Sequence, residues 1–347
     1  MSEDRASEAD FVRLIRAMAT RAAVPGVRVG IGDDCAVLQT VGGSTVLATT
    51  DLLIEDVHFR RRWAEPADLG WKALAVNLSD IAAMGGVPRW ALIALACPEE
   101  TRPDEVQAFY EGVLAIAGAH GVGIVGGDTS VSPAGWTINV TLLGEAEHAP
   151  VLRSTARVGD VVAVTGALGR SGAGLGVLER DTAPPGLDAG TLADLTGAHL
   201  RPQPRVSEGR WLASTSLVTA MMDLSDGLAI DLTRLAAESG VGGVVDVDRL
   251  PVDAATTSLA AALGVSARSW ATSAGEDYEL LLTCAPAALA ALQAGLREQC
   301  GTPLTAVGEI VTGRGVRWVD ARGAAVAVAP GFEHFAARAP AGTTSRG

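Results

Sequence analysis

Acidic residues recur at the ends of apolar runs, each beside glycine, serine or threonine: GIGDD at Gly30 to Asp34, ATTD at Ala48 to Asp51, NLSD at Asn77 to Asp80, GGDTS at Gly126 to Ser130 and DLSDG at Asp223 to Gly227. A carboxylate at the mouth of a strand costs free energy unless a cation or a run of backbone N–H groups compensates it. Five such clusters in one chain are hard to reduce to ordinary turns. They predict a polynuclear magnesium site that holds phosphates, with a nucleotide bound through metal.

What the composition lacks supports this. The net charge of -13 and the absence of a basic stripe argue against nucleic acid or an anionic membrane as partner. Lys72 is the only lysine, and its surroundings, LGWKALAV, do not fit the GxxxxGK[ST] of a phosphate-binding loop. Metal ions and arginines must therefore neutralise any phosphate. The cysteines, Cys35, Cys97, Cys284 and Cys300, are widely spaced with no CxxC pair, so they read as thiols of a reducing compartment rather than disulfides or a zinc site. The acidic N-terminus has no apolar segment of a signal peptide, and runs such as Trp90 to Cys97 are too short to span a bilayer. The expectation is a soluble, cytoplasmic protein.

At 347 residues and 48% hydrophobic, the chain is long enough for two cores. Its periodicity predicts a mixed α/β fold: helices at Phe11–Ala19, Asp68–Met84 and Asp104–His120, and strands at Thr45–Thr50, Trp90–Cys97 and Trp136–Glu145. A polar connector at Glu147–Asp160 marks a boundary, giving domains 1–148 and 149–336 and a disordered tail 337–347. Beyond it, strand Val161–Thr165 runs into GALGRSGAGLG and then a helix, and further helices are expected at Gln203–Ala213, Gly227–Glu238 and Pro286–Glu298. Strands are expected at Leu217–Asp223, at Glu279–Thr283 and near Ala306 and Val316.

Each acidic cluster also has a plainer reading. Asp33 and Asp34 suit an acidic glycine turn as well as a ligand pair. Asp51, placed at the end of a strand after Thr49 and Thr50, gathers hard oxygen donors but could also cap a helix. Asp80 is more telling, because it sits within a helix that is otherwise nearly all apolar, one turn from Asn77, and there it needs a cation or a charge-assisted partner. Asp128 follows glycines that would let a phosphate approach the backbone, or is a capping Asp in a turn. Capping accounts for Asp226 but not for Asp223 at a strand end. GALGRSGAGLG could cradle an anion, as glycine-rich loops of no specificity also appear to the eye, and Arg153 could reach a phosphate or sit exposed. Glu276 and Asp277 read as an exposed charged turn.

The run of motifs GIGDD, TTDLLIEDVHF, KALAVNLSDIAAMGG, GGDT, LRSTARVGD, HLRPQPR, DLSDGL, SAGEDYEL and GFEHF, in this order over nearly the whole chain, resembles the thiamine-monophosphate kinase family. That family belongs to a superfamily with aminoimidazole ribonucleotide synthetase, selenophosphate synthetase and a hydrogenase-maturation protein. The resemblance implies a two-domain α/β (α+β) architecture: an N-terminal ATP- and magnesium-binding domain that pairs with its copy in a homodimer, and a C-terminal domain that completes the site. It implies ATP-dependent phosphorylation of thiamine monophosphate to thiamine diphosphate, with release of ADP, by in-line magnesium-assisted transfer in thiamine diphosphate biosynthesis.

By the same resemblance Asp34, Thr49, Thr50, Asp51, Asp80, Asp128, Asp223 and Asp226 would bind several magnesium ions, with Asp51, Asp128 and Asp223 at the catalytic centre. Tyr110, Gly127, Asp128, Arg153 and Ser225 would contact ATP; His58, Glu276 and Phe332 would contact thiamine monophosphate. Asp56, Ala274 and Phe332 depart from the family's usual residues, which bears on the substrate side. A phosphate monoester acceptor, with a second pKa near 6, is already a nucleophile at neutral pH, so no catalytic base is needed. The alternatives are a related ATP-dependent synthetase with another acceptor, a metal-dependent phosphohydrolase, and a nucleotide-binding regulator without turnover. Cys35 within GDD and the closing Gly347 argue against the selenophosphate and hydrogenase-maturation branches.

Overall fold

The computed structural model describes residues 7–20, 24–180, 182–184 and 186–331. Phe332 and the 337–347 tail lie outside the described residues. The first half runs α1 (Glu8–Ala19), β1 (Val27–Val29), β2 (Ala36–Gln39), β3 (Thr45–Ile54), α2 (Pro66–Ala83), β4 (Val87–Cys97), α3 (Pro103–His120), β5 (Gly123–Val131) and β6 (Thr137–Glu145). Its sheet has the order β1-β2-β3-β6-β4-β5, antiparallel except for the β4–β5 pair. The second half runs β7 (Val161–Thr165), α4 (Arg170–Leu178), α5 (Ala189–Leu200), α6 (Val206–Thr215), β8 (Val218–Asp223), α7 (Leu228–Glu238), β9 (Gly242–Asp246), α8 (Ala254–Leu263), α9 (Ala267–Ser273), β10 (Leu280–Cys284), α10 (Leu289–Cys300), β11 (Leu304–Val311) and β12 (Gly315–Val319). This sheet has the order β12-β9-β11-β7-β10-β8, with only β12–β9 parallel.

The two sheets bury their faces differently. In the second, β10 is buried at every position, because one face meets a core running on into the first half and the other packs against Leu228, Leu232 and Leu235 of α7. In the first, β6 alternates strictly between half-buried and buried residues, the pattern of a sheet covered on one side. The covered face carries Leu47, Leu53, Ala91, Ile93, Val140 and Leu142 against α2 and α3. The opposite face leaves Leu52 47%, Trp90 42% and Leu92 38% exposed, and β5, at the sheet edge, leaves Val125 and Val131 in the open.

Helix α2 is apolar nearly all round and correspondingly buried all round. Its contact with α3 is backbone against backbone: a Cβ on Gly70 would lie 1.9 Å from the Phe109 carbonyl oxygen, and one on Gly112 would lie 1.9 Å from that of Ala67. Nothing larger than glycine fits at either position, which sets how closely α2 and α3 approach. Strand β3 is longer than the sequence suggested. It runs on to Ile54, so Asp51 sits within the strand rather than at its end. Helices α5, α8 and α9 and the glycine-led strand β9 escape a periodicity reading because short, Ala/Gly/Thr-rich segments lack an apolar stripe.

Candidate active site

Side-chain alternation along β3 sends Thr49 and Asp51 to the covered face of the first sheet and Thr50 and Leu52 to the other. Register confirms the division: Asp51 lies opposite buried Val140, while Leu52 lies opposite Asn139. Beneath Thr49, α2 presents Asp80, whose Oδ2 accepts the Thr49 hydroxyl proton. One residue earlier, the Ser79 hydroxyl donates to Asp223 Oδ2 at 2.6 Å, which joins α2 to the end of β8. Asp34, from the loop before β2, completes the cluster. Carboxylate oxygens of Asp34, Asp80 and Asp223 all lie within 4.8 Å of one another.

Such proximity under burial is electrostatically costly. Burial, and then the neighbouring carboxylates, push Asp80 and Asp223 well above the usual carboxylate range. Burial raises Asp51 to about 6, against a hydrogen bond with Asp80, and raises Asp33 to about 6 with help from Asp34. Arg153 ion-pairs with Asp34, with its Nε 3.5 Å from Asp33, yet burial still keeps Asp34 raised. Arg234 pairs with Asp226 and lies 3.3 Å from the buried Asp231, whose carboxyl burial and Asp226 push up to about 8. Asp34 Oδ2 and Asn77 Oδ1 are buried with no hydrogen-bond partner. Close-set hard oxygen donors, one of them orphaned, suit a small divalent cation such as magnesium.

A cavity of about 420 Å³ opens beside this cluster, lined at one end by Thr50, Asp51, Ser225 and Asp226 and beyond by His58, Trp63, Val76, Glu276 and Tyr278. His58 Nδ1 accepts from the Ile54 N–H at 2.9 Å, which leaves the proton of a neutral ring on Nε2. Glu276 and Asp277 are not the exposed turn that the sequence suggested. Glu276 faces the cavity, and Asp277 accepts from the N–H groups of Gly169 at 2.7 Å and Ser171 at 3.1 Å. The glycine-rich run before α4 thus does cradle an anion at a helix N-terminus, but the anion is the chain's own. Burial raises Asp277 to about 7.

The single chain therefore gathers Asp34, Thr49, Asp51, Asp80, Asp223, Asp226, Arg153, Ser225, His58 and Glu276 around one cluster and its cavity. Three other residues stand elsewhere. Tyr110, on α3, packs edge-on to Phe109 at 5.3 Å, and neither it, Gly127 nor Asp128 lines the cavity. Asp128 pairs across β4 with Ala94, in the row of Leu52 and Asn139. It belongs to the open face at the free edge, three strands from β3, or roughly 14 Å. The Thr50 hydroxyl donates to the Val140 carbonyl at 3.1 Å on that same side. A Cβ on Gly127 would meet the Ile93 carbonyl oxygen at 1.8 Å, so glycine is required there by strand packing.

Sequence reasoning gave no site role to Ser79, Arg234 or His199, and it considered Lys72 only to exclude a phosphate-binding loop. For Lys72 a signal existed: a lone charge in an apolar helix, the same argument that singled out Asp80.

Known proteins match this chain over most of its length. The family described as AIR synthase related protein, N-terminal domain, matches residues 32–146, and its C-terminal counterpart matches residues 157–320. Thiamine-monophosphate kinase of Bacillus subtilis (strain 168) is 40% identical over 73% of this chain and 77% of its own length. That of Rhodopirellula baltica is 38% identical over 85% of this chain and 87% of its own. A solved structure described as AaThiL complexed with AMPPCP and TMP superposes with a TM-score of 0.80 at 34% identity, covering 95% of this chain and 97% of that one. In sequence, in both domains and in fold, the chain belongs to the thiamine-monophosphate kinase family.

Proposed function

We propose that the chain transfers the terminal phosphoryl group of ATP to the phosphate of thiamine monophosphate, giving thiamine diphosphate and ADP. The observation that carries this reading is the continuity of a phosphate-type cation site, built from Asp34, Asp80 and Asp223, with a cavity large enough for a ring system. Asp34, Asp80 and Asp223, with Asp51, Asp226 and Thr49 beside them, would hold the magnesium ions. When bound, these ions neutralise the phosphate oxygens and the charge that develops during transfer.

The chain's own residues supply position and exclusion. Serine and threonine hydroxyls on Asp80 and Asp223 fix the ligand oxygens, and Arg153 and Arg234 offset the negative charge from the protein side. Val76, Phe59 and Trp63 give the cavity apolar walls. The acceptor phosphate is mostly ionised at neutral pH, so catalysis needs in-line alignment rather than a base.

The working unit is a homodimer in this reading. An apolar open sheet face bearing Leu52, Trp90 and Leu92, flanked by the bare edge of β5, is an association surface by composition and exposure. A second copy covering it would also enclose Gly127 and Asp128, which the isolated chain leaves on that edge, and would bring them into service as ATP and metal contacts. Free thiols at Cys35, Cys97, Cys284 and Cys300 accord with a cytoplasmic enzyme, and among the described residues no helix is long and apolar enough to cross a membrane.

The test is chromatographic detection of thiamine diphosphate from purified protein with ATP, magnesium and thiamine monophosphate, beside reactions lacking acceptor or offering free thiamine. Diphosphate formed only from the monophosphate supports the reading. ADP released without it moves the chain to the synthetase or phosphohydrolase alternatives.

A further inference from the structure

Helix α2 carries Lys72, Val76 and Asp80 at i, i+4 and i+8, one face about 12 Å long. Asp80 belongs to the carboxylate cluster, and Val76 lines the cavity. Lys72 marks the far end. The only lysine in the chain, it is 2% exposed, and its ammonium lies 2.8 Å from Glu276 Oε1 with no hydrogen bond to any other group among the described residues. It does not itself line the large cavity; the Glu276 side chain does, with 25% of its surface exposed.

The carboxylate is flanked from a second direction. His199 Nδ1 lies 3.3 Å from Glu276 Oε2 and 3.0 Å from the Ser171 hydroxyl. Burial, and then the charge of Lys72, lower His199 to about 4. At neutral pH His199 is therefore uncharged beside Glu276, and Lys72 supplies the positive charge. Burial alone would raise Glu276, but the adjoining ammonium, and then His199, hold it below the usual glutamate value. The backbone contributes too: Glu276 has a left-handed φ of 59°, and its N–H donates to the Ser225 carbonyl at 2.7 Å. A non-glycine residue held there is strained, as often found where a side chain must point one way.

Stability does not account for the pair. A buried ion pair can usually be replaced by apolar side chains at no loss of folding free energy. Function does account for it. Each carboxylate oxygen has two lone-pair directions, and Lys72 engages one of them on Oε1. The others remain at the end of the cavity away from the metal cluster, where a substrate anchored by its phosphate would place its most distant ring.

We infer that Lys72 is a positioning residue for substrate recognition: it fixes the Glu276 carboxylate as a charged acceptor for N–H groups on the ring system of the substrate. For thiamine monophosphate, the ring farthest from phosphate is an aminopyrimidine, whose amino group supplies such donors. The inference rests on the proposed kinase function and deepens it.

Steady-state kinetics of Lys72→Met, Glu276→Gln and the double variant test it, with each substrate varied at saturating levels of the other. Lys72→Met and Glu276→Gln should each raise KM for thiamine monophosphate by roughly 10- to 100-fold, the range of one hydrogen bond to a charged group. The change in kcat should be smaller and KM for ATP unaltered. The double variant, which leaves no buried charge unpaired and so keeps the comparison if Lys72→Met alone fails to fold, should match Glu276→Gln. Equal effects on both KM values, an effect on kcat alone, or a double variant much worse than Glu276→Gln would overturn the inference. An unaltered KM for thiamine monophosphate in Glu276→Gln also overturns it, while thiamine diphosphate production by the unmodified protein keeps the kinase reading intact. No diphosphate from the unmodified protein removes the function on which both rest.

Discussion

Replacing Asp51 by asparagine should act in opposite directions on stability and on catalysis. Burial raises the Asp51 carboxyl from 3.8 to about 6 in the folded chain, so the folded state binds its proton more tightly than the unfolded state does. Below about pH 4 the group is protonated in both states and the difference costs nothing. Between about pH 4 and pH 6 the unfolded state loses its proton first, so stability falls as pH rises, and above pH 6 the full cost persists. At 1.36 kcal/mol per pKa unit, a shift of this size amounts to about 3 kcal/mol in the metal-free protein. Asparagine has no such proton and can still hydrogen-bond to Asp80. In EDTA at pH 7.5, urea unfolding should show Asp51→Asn more stable than the unmodified protein by up to about 3 kcal/mol, with the gap closing towards pH 4. Magnesium should stabilise the unmodified protein and close that gap as well. In the diphosphate assay the variant should lose roughly 10²- to 10³-fold in kcat. A variant less stable in EDTA at pH 7.5, or a gap independent of pH, would refute the claim that uncompensated carboxylates are held together here for a cation.

Three further outcomes are expected. Arg205 donates from Nε to Glu279 Oε2 at 2.7 Å and lies 3.3 Å from Glu208, both carboxylates being buried; Arg205→Met should destabilise the fold by about 3–5 kcal/mol in urea titration, because it strands buried charge. Leu52→Lys with Leu92→Lys, on the open sheet face, should convert the proposed dimer to monomers in sedimentation velocity without lowering the monomer's helical CD signal; an unchanged sedimentation coefficient would contradict the proposed interface. Gly127→Ala should separate β5 from β4, since its Cβ would sit 1.8 Å from the Ile93 carbonyl oxygen; faster amide exchange in β5 would register this, and exchange like the parent's would contradict it.

The acidic clusters were legible in the sequence because each is a local anomaly: a charge in an apolar run needs a partner wherever the chain goes. That logic singled out Asp80 and Asp223, which α2 and β8 bring together, and applied equally to Lys72. Strand and helix periods likewise revealed most elements of the first half, since an amphipathic or alternating pattern is set by neighbours along the chain. Which face each residue serves was a different matter. Asp51 and Asp128 look alike in sequence, each beside threonine, yet the register across β3, β6, β4 and β5 puts one over the buried cluster and the other on the open face. The sequence also left Glu276 and Asp277 as an exposed turn, because Lys72, Gly169 and Ser171 come to them from distant segments. Local patterning determines which groups require compensation; only tertiary packing, which sets distance and dielectric together, decides what compensates them.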